Sequence, residues 1–395
     1  MIKPKKYRLF SSNVLKSVLM LLAALFGMYQ CLAQNLIRPT PLIGTNVSVF
    51  EWSNPLPFQY REENGGEHTE LRDPCIIRDN DTYYVAFTMW PFGGREASRV
   101  DQPNQGGSPG IAIYSSTNLE DWRFDNWLVK SSELPENCPY KDRFWAPEIH
   151  HFGNKYYLIF YADNWLKNEY NPAGKWSSAG YAFVGEADKV TGPYKHITLI
   201  NGAGCDTTLF QDTDGKTYAI IPRYNIDVQQ IDLGGLAHDH VKLIGKPKTI
   251  VFAKNTDIGI AANPDYLEGP WMEKIKGKYY LFYAEIYRDK TYADWLGYWT
   301  GVAVADSVMG PYKKDRRGKI FAGGHLAIFR GPNDGLWFSY RGESDNSAHG
   351  QLCIDPLTVD AQGAVQTIAP TIGQQSVPGN GYQDEIKNFS NQIQP

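Results

Sequence analysis

The chain has 395 residues, 42% hydrophobic and 21% charged, with 39 basic against 43 acidic side chains and a formal net charge of −4. An acidic balance argues against nucleic acid or an anionic membrane as partner. Five cysteines without a C-x-x-C spacing argue against a thiolate metal centre or a disulfide scaffold.

The first segment reads as an export signal. Lys3, Lys5, Lys6, Arg8 and Lys16 lie before or just ahead of an apolar run from Val18 to Phe26, which is too short to span a bilayer. Cys31-Leu32-Ala33 offers small residues for cleavage after Ala33, giving residues 1–33 as signal peptide and a secreted or periplasmic protein. Lipidation at Cys31 is disfavoured because Met28-Tyr29-Gln30 lacks small residues ahead of it. Cleavage removes five cations and no acids, leaving 34 basic against 43 acidic side chains, about −9. Residues 34–64 form an N-terminal extension with a candidate ring-closing strand.

From about residue 65 one pattern recurs five times: a polar knot, alternating apolar residues, a turn at Gly, Asn or Asp, then an aromatic strand. The stretches are LRDPCIIRDNDTYYVAF from Leu71, WAPEIHHFGNKYYLIFYA from Trp145, CDTTLFQDTDGKTYAII from Cys205, EGPWMEKIKGKYYLFYA from Glu268 and GHLAIFRGPNDGLWFSY from Gly324. The aromatic strands start near Tyr83, Tyr156, Tyr218, Tyr279 and Trp337, at spacings of 73, 62, 61 and 58 residues. Strand–turn–strand units at this period predict the blades of an all-β, five-bladed β-propeller over residues 65–375, with a polar tail over 376–395. The second halves of the units agree. Ile111–Tyr114 followed by SSTNLEDW reads as a third strand, a turn and an outer strand, and GYAFVGEADKVTGPY from Gly180 is closely repeated by GVAVADSVMGPY from Gly301. No stretch holds a helical period. Two insertions, Pro91–Gly110 and Asp163–Ala179, are either walls of a binding site or plain surface excursions.

The knots carry Asp73, Glu148, Asp206, Glu268 and His325 at places that read as equivalent. The innermost strand of each blade runs along the channel, so Asp73, Asp206 and Glu268 should surround one axial pocket. Clustered carboxylates repel, which spreads their pKa values and keeps one protonated while another is ionised. Glycoside hydrolysis needs such a pair, and carboxylates facing each other across a channel suit the wider separation of inverting enzymes. Cys75 and Cys205, inside expected innermost strands, read as small buried thiols.

Taken together, RDP, FWAPE, CDTTLFQDTDGKTY, EGPW and GGH resemble glycoside hydrolase family 43 over essentially the whole mature chain. The resemblance implies an inverting propeller glycosidase with Asp73 as general base, Glu268 as general acid and Asp206 tuning and orienting the acid. It puts Trp145 at the sugar subsite, where the alternative is a core aromatic. Trp90, Glu148, Arg341 and Gln351 join it as substrate-binding candidates, Gln351 standing where relatives often place Arg, with Arg341 able to supply the cation. His325 matches a His that reaches a structural Ca2+ on the axis, often through water; a hydrogen-bonded core His is the alternative. No cofactor is otherwise required. WAPE followed by Ile149-His150 resembles arabinofuranosidase-like branches, so expected substrates are oligosaccharides or polysaccharides bearing terminal α-L-arabinofuranosyl or β-D-xylosyl units, with galactosides as the alternative. A retaining propeller would carry Asn-Asp-Pro and an acid Glu followed by Cys, whereas Arg72-Asp73-Pro74 and Glu268-Gly269 stand here. A non-catalytic sugar-binding propeller would have lost one of the three carboxylates. A protein-interaction propeller would show repeat dipeptides that are missing.

Overall fold

In a computed structural model, the described residues are 49–61, 67–89, 108–141, 143–163, 181–260, 263–288, 295–343 and 350–378. The chain divides into Met1–Val47 and Ser48–Pro395, and all described residues belong to the second unit. The signal peptide and most of both insertions therefore lie outside the described residues, as does Trp90.

Five antiparallel sheets follow one another along the chain. Blade one is built from Leu71–Asp79, Thr82–Met89, Gly110–Ser116 and Arg123–Lys130; blade two from Arg143–Phe152, Lys155–Asp163, Tyr181–Ala187 and Lys195–Leu199. Blade three comprises Thr208–Gln211, Thr217–Arg223, Asn225–Asp232 and Lys242–Val251. Blade four has Tyr266–Ile275, Lys278–Arg288, Trp295–Ala305 and Lys313–Lys314, with Phe321–Ala322 added to its third strand. Blade five has Gly324–Arg330, Leu336–Arg341, Leu352–Val359 and Val365–Thr367. The first strand of each blade touches the first strands of the blades on either side, closing a ring of five about the axis. This is the five-bladed propeller that the repeat predicts.

The sequence makes these hairpins locally. In blade four Lys276 and Gly277 both take positive φ, 50° and 78°, the primed turn whose twist matches the flanking strands. Aromatic and β-branched residues then pack between blades. Ala86 and Ile113 of blade one meet Phe144, Leu158 and Phe183 of blade two in one cluster. Ile220 and Val228 of blade three meet Leu281 and Tyr283 of blade four in another.

The strand expected within residues 34–64 is Val49–Asn54, and it completes no blade. It pairs antiparallel with Gly373–Pro378 in a separate two-stranded ribbon, so the tail assigned from residue 376 begins inside a strand. The junction of blades five and one is filled instead by side chains: Trp52, Leu56, Phe58 and Tyr60 pack with Phe87 and Tyr114 of blade one and with Trp337 and Ile354 of blade five. Both partner blades already have four strands, so burial of aromatic area and not a shared ladder closes the ring. Buried Asn54 fastens the seam, donating to the Ile354 carbonyl at 2.7 Å and to Thr371 Oγ1 at 2.9 Å while accepting from the Ile354 amide at 3.0 Å. Asn54→Ala leaves a buried amide and carbonyl unpaired and is expected to cost about 2–6 kcal/mol, at roughly 1–3 kcal/mol per stranded group. A denaturant midpoint within error of wild type would refute that role for Asn54.

Candidate active site

One backbone feature recurs in all five knots and sets the site. Asp73, Ala146, Asp206, Gly269 and His325 take positive φ, at 53°, 46°, 55°, 50° and 50°. In blades one, two, four and five the register slips across this residue, between Arg72 and Cys75, Trp145 and Glu148, Glu268 and Trp271, and Gly324 and Ala327. These are β-bulges, which re-aim a side chain locally. A left-handed L-residue costs ~1–2 kcal/mol, least for Asp, Asn and His, and a ring of them persists only where the surroundings over-determine it. Gly269 shows the crowding: a Cβ there would stand 2.8 Å from His325 Cγ.

The bulge revises the equivalence read from sequence. Asp73, Asp206 and His325 share the left-handed position, whereas Glu268 stands one residue before it and Glu148 two after. Glu268 therefore belongs to the layer of Arg72, Trp145, Cys205 and Gly324, and Glu148 to that of Cys75, Thr208, Trp271 and Ala327.

His325 joins the group. Its Nδ1 donates to Asp73 Oδ1 at 3.0 Å and lies 3.8 Å from Asp206 Oδ2. Thr88 Oγ1 donates to the other Asp73 oxygen at 2.7 Å and accepts from the Ala146 amide at 2.7 Å, so blade two orients the Asp73 carboxylate through Thr88. Asp206 accepts from the Gly269 amide at 3.3 Å and from Cys205 Sγ at 3.0 Å. Tyr298, buried in the third strand of blade four, hydrogen-bonds Glu268.

Charges then separate the carboxyls. Burial would raise Asp73, but the His325 cation, hydrogen bonds from His325 and Thr88, and Arg72 hold it at about 2. Glu268 is pushed up to about 8, by burial first and then by the Asp206 charge, over the opposing effect of His325. Asp206 is raised by burial and by Asp73, with His325 opposing. Burial disfavours the His325 cation, yet Asp73 and Asp206 raise it to about 10. At neutral pH the site thus holds an ionised Asp73, a protonated Glu268 and an imidazolium between Asp73 and Asp206.

The remaining candidates are placed as follows. Trp145 is half-buried in the Glu268 layer. Glu148 is 3% exposed and accepts from His150 Nε2 at 2.9 Å; His150 also meets Thr208 at 3.4 Å and stacks on Trp271 at 5.0 Å. The Glu148 carboxylate is thus engaged by the protein itself. Arg341 pairs with Glu343, lies in register with Gly324, and its charge reaches Arg72 and Tyr298. Gln351 is half-buried, and its carbonyl accepts from the Gly342 amide at 3.0 Å. Cys75 is buried as expected, but Cys205 is exposed and stands ahead of its blade's first strand, which begins at Thr208. Sequence reasoning missed Thr88 and Tyr298, which no motif marks, and passed over Arg72, which the RDP motif does contain.

His325 Nδ1 is taken by Asp73, and its buried Nε2 has no partner among the described residues. Ca2+ takes six to eight oxygens, and among the described residues no cluster of three His, Cys, Asp or Glu is arranged to hold a metal ion. One imidazole nitrogen does not fit a directly held Ca2+, which leaves contact through water as the way His325 would reach one.

A five-bladed ring with an acid–base carboxyl set at its axis defines a class of glycoside-cleaving propellers. The family model for glycosyl hydrolases family 43 matches residues 68–365, and the chain belongs to that family. Relatives include a xylan 1,3-beta-xylosidase of a Vibrio species, 26% identical over 61% of this chain and 40% of the relative. A beta-D-galactofuranosidase of Aspergillus niger is 27% identical over 66% of this chain and 74% of the relative. Among solved structures, a thermostable family-43 glycoside hydrolase has a TM-score of 0.59 at 22% identity, covering 83% of this chain and 98% of that one. The chain spans 35–40% of the length of three such relatives, the Vibrio xylosidase, a Bacillus subtilis beta-xylosidase and a Humicola insolens xylosidase/arabinosidase.

Proposed function

We propose that this chain is an inverting, exo-acting glycoside hydrolase, exported from the cell, that releases terminal α-L-arabinofuranosyl or β-D-xylosyl units from plant or algal polysaccharide fragments. The observation that carries this reading is the split between two carboxyls of one pocket, Asp73 ionised and Glu268 protonated at the same pH. In the proposed step Asp73 removes a proton from water as the water oxygen bonds the anomeric carbon. The glycosidic C–O bond breaks, and Glu268 gives its proton to the departing oxygen. Asp73 leaves the step protonated and Glu268 ionised, and exchange with solvent restores both. Asp206 keeps Glu268 protonated until the leaving oxygen needs the proton, and Tyr298 and His325 hold the two reacting groups in place. No cofactor is required. The xylosidase and arabinosidase names among the relatives support the pentoside reading, and the galactofuranosidase supports a galactoside-directed alternative.

Release of nitrophenol from aryl α-L-arabinofuranoside, β-D-xyloside and β-D-galactoside, followed by NMR of the first-formed sugar, tests both claims. Turnover of one pentoside with inverted configuration is expected. Early appearance of the retained anomer would overturn the mechanism, and preference for the galactoside would move the substrate class.

A further inference from the structure

A groove of about 1020 Å³ runs along the outer edge of blade one, away from the axial site. Three strand spacings of ~4.8 Å separate the outermost strand of a blade from its innermost one, so the groove lies roughly 14 Å out from the channel wall.

Its aromatic wall depends on irregular strand pairing. Phe124, Trp127 and Lys130 are three residues apart, a spacing that alternates faces in a regular strand. Here the register pairs Tyr114 with Phe124, Ala112 with Trp127 and Gly110 with Lys130, with slips between the pairs, so all three side chains come to one face. Trp122 continues the wall, its ring fixed by an Nε1 hydrogen bond to the Leu119 carbonyl at 3.0 Å and by edge contact with Phe58. Phe124 remains 47% exposed. The other wall is the seam segment, which contributes Pro57, Gln59 and Arg61.

Fixed, solvent-facing aromatic rings together with polar side chains are the composition of a ligand site, and the volume stands at the upper end of the ~300–1,000 Å³ usual for one. The charges select the ligand. Arg61 and Lys130 are matched by Glu120 and Asp121, so the groove has no net sign to draw a charged polymer. Sugars present apolar C–H faces to rings and hydroxyls to polar groups, and they need no charge. We infer that this groove binds a stretch of uncharged polysaccharide and holds the polymer on the protein while the axial site acts on its branches. The inference rests on the glycosidase reading above.

The test is native gel electrophoresis of the full chain through neutral arabinoxylan, arabinan or galactan, with the anionic polymer alginate as control, for wild type, Phe124→Ala and Phe124→Ala/Trp127→Ala. Retardation by a neutral polymer and not by alginate is expected, weakened by about fivefold or more in the double variant, the usual scale for losing a buried aromatic anchor. Turnover of the aryl glycoside should stay at the wild-type value in every variant. Phe124→Ala alone, at an exposed position, keeps the test valid if the double variant misfolds. Wild type unretarded by any neutral polymer, retarded equally by alginate, or retarded as strongly after both substitutions would overturn the proposal. Retardation without hydrolysis of any glycoside would leave the groove standing and sink the catalytic reading instead. A dimer dispersed by the same substitutions, with no effect of polysaccharide, would assign the groove to a second copy of this chain and overturn the proposal as well.

Discussion

Glu268→Gln is expected to lower kcat/KM on natural glycosides by about 10²–10⁴, the usual contribution of a positioned acid, while largely sparing aryl glycosides whose leaving group departs without a proton. Gln keeps the shape of Glu268 and a partner for Tyr298, so the loss reports the proton and not the packing. The pH profile should carry the same signature. Glu268 must be protonated, and burial and Asp206 place its pKa at about 8, so wild-type kcat/KM is expected to fall tenfold per unit as pH rises beyond about 8. That limb should vanish in Glu268→Gln assayed on a good leaving group. Full activity of Glu268→Gln on a sugar leaving group would remove Glu268 from the acid role. A basic limb that survives in the variant would assign the titration to another group.

Asp73→Ala should cost at least as much, with a different rescue. Without the base no group removes the proton from water, and activity on every substrate should drop by about 10³ or more, poor and good leaving groups alike. Azide needs no deprotonation, so adding it should restore turnover and yield a glycosyl azide of inverted configuration. Rescue with retained configuration would contradict a base role on the far face of the sugar. Asp73→Asn separates chemistry from stability, because Asp73 also faces the His325 cation at 3.0 Å. The His325 pKa is raised from 6.5 to about 10, so its pairing stabilises the fold fully below about pH 6.5 and is lost as pH rises through 10. Asp73 is lowered from 3.8 to about 2, so its share is present above about pH 4 and lost as pH falls through 2. The stability difference between wild type and Asp73→Asn should therefore be greatest between about pH 4 and 6.5. A difference that grows towards pH 10 would contradict the ion pair.

His325 acts directly on the carboxyls of this scheme. It holds Asp73 ionised, moderates Asp206, and packs so tightly on blade four that only glycine fits at position 269. Glu148 shows the opposite case, a carboxylate in a motif segment whose nearest partner is another side chain of the axis, His150.

The five blades were legible in the sequence because a hairpin is local: the turn residues, the alternation and the aromatic strand lie within some 17 residues of one another. Asp73, Asp206 and Glu268 were legible for a related reason, since each sits at the polar start of a repeat whose remainder is apolar. Tertiary structure alone decided how those starts are phased. A bulge displaces the side-chain alternation by one residue, and whether it forms depends on how five strands crowd one axis. That crowding put Glu268 a layer away from Asp73, sent Glu148 to His150, and drew in Thr88 and Tyr298 from strands with no motif. It also left the expected strand, Val49–Asn54, outside both blades and joined it to the seam through side chains such as Trp52, because blades five and one each complete four strands from their own segment of chain.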